Sequence, residues 1–214
     1  MKITWIGHSC FEIQTGNGVV VTDPFIKKVP YKFPRLAADV VTVSHGHDDH
    51  NAADRVGGHP TVLQTAGEHE AVKGLRITGI PSFHDDAGGS RRGSNLIFLI
   101  EAESLVLVHL GDLGVPLTDE QRKALAHVDV LMAPVGGYYT IDAKQAAALA
   151  RSLPTVRVVL PMHYRTELIA DWPITPVDDF LRTMDNVRHI GSSSVVLDRT
   201  TLPEALEVWV LDHA

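Results

Sequence analysis

Six consecutive residues, His45 to His50, read HGHDDH and follow directly on the apolar run VVTVS. In an extended chain, side chains two apart point the same way. His45 and His47 can therefore face one metal ion, with Gly46 between them letting the backbone turn closely. Asp49 and His50 come after the chain has changed direction, at the expected start of a helix, and can face a second ion beside the first. Neutral imidazole and carboxylate suit zinc, and also iron or manganese, while the absence of sulfur removes the strongest preference for zinc. The plainer reading, a solvated polar turn, gives no reason for four ligand-type residues at this spacing after a buried strand.

Four residues do not complete two sites, so further ligands are expected at other strand ends. His84 follows the strand-like GIPSF, Asp112 ends VLVHLGD, and His163 follows VVLPM. Alone, each is more often structural; after HGHDDH, and in this order, they read as the remainder of the set. Metal-bound histidines need their other ring nitrogen held, usually by a carboxylate or carbonyl. Asp23, between VVVT and Pro24, is the candidate for that role, against the reading of an ordinary strand-ending turn. His8 in GHSCF either reaches the cleft or is a satisfied core histidine, and His109 reads as structural or supporting. Arg91, Arg92 and Arg165 have the fork geometry that meets phosphate or carboxylate, with a solvated loop as the alternative for the first two. Tyr138 and Tyr139, after Gly136 and Gly137, are candidates to line the pocket or simply to pack.

The elements that position these residues are short apolar runs punctuated by Gly, Pro and Asp, which read as strands. They include KITWIG, CFEIQT, GVVVTD, DVVTVS, LRITGI, NLIFLIE, LVLVHLG, VDVLMAP and VRVVLP. Several are too continuously apolar to have one face in water and belong in sheets covered on both sides. Helical patterns are expected at NAADRVG near 51, 118–127, 142–153 and 176–184, with Thr118-x-x-Gln121 and Asp142 placed to cap two of them. An internal similarity also stands out. SCFEIQTGNGVVVTDPF and SNLIFLIEAESLVLVHLGDLG are each a hairpin ending in Asp, followed by a later apolar strand that runs into a Gly-containing loop.

With 214 residues, no linker and no shift of composition, a single domain over 1–214 is expected. The 26 acidic and 19 basic residues give a net charge of −7, which disfavours nucleic acid as a partner. Cys10 is the only cysteine, so there is no intrachain disulfide and no cysteine-based zinc ribbon. It reads as a small buried apolar residue. With no apolar leader and no membrane-length run, a cytoplasmic protein away from membranes is expected. Sheet edges leave a homo-oligomer open.

These motifs, HGHDDH with His84, Asp112 and His163, resemble the metallo-β-lactamase superfamily, over most of the chain to about residue 165. The stretches ITWIGHSCFEI, VVTDPF and PVGGYYTIDAKQA look like its compact metal-dependent hydrolase branch, which includes ascorbate-6-phosphate lactonase-like proteins. The DDAGG that follows His84 departs from glyoxalase II and puts a glutathione thioester in doubt. The resemblance implies an α/β (α+β) fold, a four-layer αββα sandwich. It implies that His45, His47 and His84 hold one metal and Asp49, His50 and His163 the other, with Asp112 bridging. The implied activity is hydrolysis of a small-molecule carbonyl or phosphoryl centre, a lactone, ester or phosphorylated compound, by a hydroxide that two metals activate and Asp49 orients. Two divalent ions are the expected cofactors, zinc first, then manganese or iron. Phosphodiester or nucleic-acid cleavage, a non-catalytic metal-binding scaffold, and iron-based redox chemistry are the alternatives.

Overall fold

A computed structural model describes residues 1–214. The apolar runs form two sheets. The first contains β1 (Lys2–Gly7), β2 (Cys10–Thr15), β3 (Gly18–Thr22), β4 (Val40–Thr42), β5 (Thr61–Leu63) and β13 (Ser194–Val196), in the order β13-β1-β2-β3-β4-β5. The second has eight strands: β6 (Gly67–Val72), β7 (Leu75–Phe83), β8 (Ser94–Ala102), β9 (Leu105–His109), β10 (Val130–Pro134), β11 (Val158–Met162), β12 (Val187–His189) and β14 (Glu207–Val210). Their order is β12-β14-β11-β10-β9-β8-β7-β6. Ile3, Trp5, Phe11 and Ile13 of the first sheet share one buried apolar cluster with Ile77, Phe98, Leu107 and Val159 of the second. No helix is long and apolar enough to cross a membrane.

The strand directions decide where chemistry collects. β1 is antiparallel to β2, β2 is antiparallel to β3, and β3 is parallel to β4, so β1, β3 and β4 run one way. In the second sheet β7 and β9 flank the antiparallel β8, and β10 and β11 continue parallel to β9. His8, Asp23 and His45 follow the ends of β1, β3 and β4, while His84, Asp112 and His163 follow β7, β9 and β11. These six residues thus come just past the carboxyl ends of strands, where ligands of layered α/β folds collect, and His47, Asp49 and His50 follow His45 in the same loop.

The internal similarity is realised in pairing. The hairpin β2–β3 is followed by β4 parallel to β3, and the hairpin β8–β9 by β10 parallel to β9.

Three α-helices form, α1 (Asp119–Ala124), α2 (Ala143–Ser152) and α3 (Val177–Leu181). Thr118 and Asp142 each complete a capping box, with Gln121 and Gln145. Ala146, Ala147, Leu149 and Ala150 of α2 are buried in the same cluster as the second sheet. Two packed sheets with few helices are the expected fold class, and one patch of the first sheet is covered by irregular chain. Phe25, Val29, Tyr31 and Ala38 cover Val21, Val41 and Val43 there, from an irregular segment that contains Pro24, Pro30 and Pro34. Proline inside a helix removes a hydrogen bond and clashes with the preceding turn, so three within eleven residues prevent one. The helix expected near 51 is likewise only a 3-10 turn, Ala53–Arg55, stopped by Gly57 and Gly58. Two strands arise where none was expected. β6 and β12 are edge strands with largely exposed side chains, so they carry no apolar signal.

Candidate metal centre

All seven ligand candidates, His45, His47, Asp49, His50, His84, Asp112 and His163, come together at one edge of the two sheets. Asp112 is at the hub. Its Oδ2 lies 3.2 Å from His163 Nε2, 3.3 Å from His84 Nε2, 3.4 Å from His50 Nε2 and 3.9 Å from His45 Nε2. His45, His47 and His84 form one group of closely spaced ligand atoms. Within it, His45 Nε2 and His47 Nδ1 are 3.0 Å apart, near the roughly 3.3 Å between nitrogens on a tetrahedral zinc with bonds of about 2.0 Å. His8, His50 and His163 form a second group, with Asp49 Oδ2 3.3 Å from His8 Nε2 and 3.9 Å from His50 Nε2. His45, His50, His84, Asp112 and His163 are buried, whereas His47 is exposed and the Asp49 side chain is 29% exposed. The open side of the centre is therefore at His47 and Asp49.

Asp23 holds two of the histidines. Its Oδ1 accepts from the Ser44 backbone N–H at 2.7 Å, and its Oδ2 accepts from Ser44 Oγ at 2.5 Å and from His50 Nδ1 at 2.9 Å. The Ser44 hydroxyl has one proton and directs it to Asp23, so His45 Nδ1, 2.9 Å from Ser44 Oγ, is the donor to that oxygen. Both rings thus present Nε2 to the centre, His50 from the direct bond and His45 through the hydroxyl. Ser44 was not among the sequence candidates; its one signal is a polar side chain at the end of a buried run, next to the first ligand. Asn95 was missed for the same reason. It is a buried amide in an apolar strand, and it accepts from the Asp112 N–H at 2.9 Å while donating to the Leu110 carbonyl at 3.0 Å.

Backbone geometry completes the framework. His8, Asp23 and His163 hold φ of +53°, +40° and +52°, a left-handed region that costs non-glycine residues about 1 kcal/mol or more and gathers at functional sites. A Cβ on Gly114 would lie 2.4 Å from the His84 carbonyl carbon, and one on Gly136 2.3 Å from the His163 oxygen. Only glycine allows these loops to press so closely on ligand-bearing backbone.

Electrostatics follow burial and charge. Burial pushes the Asp112 carboxyl up, but the surrounding His163 and His50 outweigh it and hold it well below the usual carboxylate range. Asp23 and Asp49 are also held low, by His50 and His8 respectively, against the same burial. Burial lowers His45 to about 3 and His8 to about 4, so both rings are neutral near pH 7. His50 goes the other way. Burial lowers it, yet Asp112 and Asp23, facing its two nitrogens, raise it well above 6.5.

The fit to metal rests on orphaned atoms. His50 Nε2 and Asp112 Oδ1 are buried without a hydrogen-bond partner, as is each ring nitrogen of His8. Buried polar atoms are nearly always paired, so a cluster of orphans among imidazoles and carboxylates matches a cation's donor set.

The other candidates have plainer places. His109 Nε2 donates to the Ser9 carbonyl at 2.8 Å and its Nδ1 accepts from the Gly111 N–H, which is a structural role. Cys10 is a buried free thiol whose pKa burial pushes up. Asp85, beside His84, accepts backbone N–H groups from Ala87, Gly89, Arg91 and Arg92 and so fixes the loop after that ligand. Arg91 pairs with exposed Asp86, and the Arg92 guanidinium lies 5.5 Å from the Tyr139 ring centre. Tyr138 is exposed, and Arg165 pairs its backbone with Thr175 beyond His163.

A family model described as the beta-lactamase superfamily domain matches residues 2–163. A UPF0173 metal-dependent hydrolase from Methanoregula boonei is 31% identical, over 78% of this chain and 83% of that protein. One from Methanopyrus kandleri is 30% identical, over 78% of this chain and 85% of the relative. Among solved structures, a Thermotoga maritima protein described as a Zn-dependent hydrolase of the metallo-beta-lactamase superfamily superposes with a TM-score of 0.84. It shares 38% identity and covers 100% of this chain and 99% of its own.

Proposed function

The chain belongs to the β-lactamase superfamily and to its metal-dependent hydrolases, and we propose that it is a binuclear hydrolase acting on a carbonyl or phosphoryl centre of a small molecule. The observation that carries this reading is Asp112 Oδ2 standing within 3.2–3.4 Å of His163, His84 and His50, between the two groups of imidazoles. In it, His45, His47 and His84 hold one divalent ion, Asp49, His50 and His163 hold the other, and Asp112 lies between. Zinc is the first choice for such nitrogen and oxygen donors, with manganese or iron as the alternatives. When bound, two such ions supply a water nucleophile at neutral pH and neutralise charge that develops on the attacked group.

The chain's own groups supply the rest. Asp49, ionised and partly open to solvent, accepts a hydrogen bond from the attacking water and orients it. Asp23 and Ser44 keep the protons of His50 and His45 on Nδ1, so the donor atoms need no rearrangement as charge builds. The wall of buried side chains behind His50 and His163 excludes water from the inner side. A protein nucleophile is not required, in keeping with the buried Cys10. A net charge of −7 favours small molecules over nucleic acid, and one reduced cysteine suits a cytoplasmic setting.

A screen of lactones, esters, thioesters and phosphodiesters with zinc or manganese added tests the proposal. Turnover that chelator abolishes in the wild type, and that is lost in Asp49→Ala, is the expected result. Full turnover in Asp49→Ala would remove the role given to that carboxylate.

A further inference from the structure

His8 and His109 are both fully buried, yet they differ in one respect. His109 has both ring nitrogens hydrogen-bonded, as a structural histidine should. Neither nitrogen of His8 has a hydrogen-bond partner. Its ring centre is 4.4 Å from that of His163 and 5.0 Å from that of His50, with Trp172 edge-on at 5.3 Å closing the far side. One ligand atom each from His8, His50 and His163 lie within 4.8 Å of one another.

The backbone builds this placement. His8 sits in the turn between β1 and β2 with φ +53°, and its carbonyl accepts from Trp5 Nε1 at 3.0 Å and from the His163 N–H at 3.2 Å. The turn that carries His8 is therefore tied to the loop that carries His163. Its Nε2 faces Asp49 Oδ2 at 3.3 Å, so the ring is aimed at the group assigned to the second ion.

We propose that His8 is a ligand of the second ion through Nε2, so that this position has three imidazoles, His8, His50 and His163, beside the Asp49 and Asp112 carboxylates. This rests on the two-ion reading above and adds a residue to it. A donor set this rich in nitrogen selects zinc, iron or cobalt over the harder magnesium and manganese.

Two measurements test it. In wild-type protein with nitrogen-15 histidine loaded with cadmium-113, direct nitrogen–cadmium coupling is expected for six rings, those of His8, His45, His47, His50, His84 and His163. Two bound ions with coupling to only five rings would overturn the inference and leave the two-ion reading standing. Fewer than two ions would remove both. Independently, His8→Gln should weaken the second ion by at least about tenfold, the lower end of the cost of losing even an outer partner of a ligand, with the first ion unchanged. Thermal melting of the metal-free variant checks that it folds. A folded His8→Gln protein that binds both ions as tightly as the wild type would also overturn the assignment.

Discussion

Asp23→Asn is a small change in shape with a large expected effect on proton positions. The amide oxygen can still accept from the Ser44 N–H, now 2.7 Å from Asp23 Oδ1. The amide nitrogen then replaces the oxygen that faces Ser44 Oγ and His50 Nδ1. As a donor it forces His50 to accept at Nδ1, which leaves the neutral ring's one proton on Nε2, the atom facing Asp112 at 3.4 Å. It also donates to Ser44 Oγ, whose own proton turns towards His45 Nδ1, and so pushes the His45 proton onto the Nε2 that faces His47. One substitution therefore sets the wrong tautomer in both proposed ion positions. Loss of such outer hydrogen bonds costs about 10–100-fold in metal affinity, or about 1.4–2.7 kcal/mol per ion. Competition against a chromophoric zinc chelator reads both affinities, with melting of the metal-free protein as the check on folding. Affinities within about twofold of wild type in a folded Asp23→Asn protein would refute the tautomer argument.

Two further outcomes are expected. Gly136→Ala should destabilise the protein by about 1–3 kcal/mol, because the new Cβ meets the His163 carbonyl at 2.3 Å; a melting temperature lower by several degrees, with weaker metal binding, checks it. Metal loading near pH 7 should release at least one proton, since Asp112 and Asp23 keep His50 cationic, with a pKa well above 6.5, in the metal-free protein. His8 and His45 are already neutral there and release none. Affinity should then rise with pH up to the folded His50 value, and calorimetry in buffers of different ionisation enthalpy counts the proton. The His50 contribution to the metal-free fold has the opposite trend, fully present below 6.5 and lost as pH rises through the folded value.

Much of the centre was legible because its residues break the pattern of buried apolar strands. His84, Asp112 and His163 each end a run such as LVLVH or VVLPM where a polar, ligand-type side chain has no packing reason to be. Asp23 was legible as a support for a histidine, but the hydroxyl that extends its reach to His45 was not, since a serine at a strand end is ordinary. His8 was only half legible: whether a buried imidazole is satisfied depends on groups distant in sequence, here Asp49, His50 and His163. The two sheets followed from apolar runs, while the exposed edge strands β6 and β12 carried no such signal. The fold class followed from the family resemblance, while the irregular cover at Phe25 to Ala38, interrupted by prolines at 30 and 34, carried no periodic signal.

The most direct test of the two-ion account is metal content per chain in wild-type protein prepared without chelator and offered zinc, manganese or iron, beside His47→Ala and Asp49→Ala. The account predicts about two transition-metal ions in the wild type and a loss in each variant, from the first position with His47→Ala and from the second with Asp49→Ala. A wild-type protein that takes up no ion, or one ion unaffected by either substitution, would contradict it.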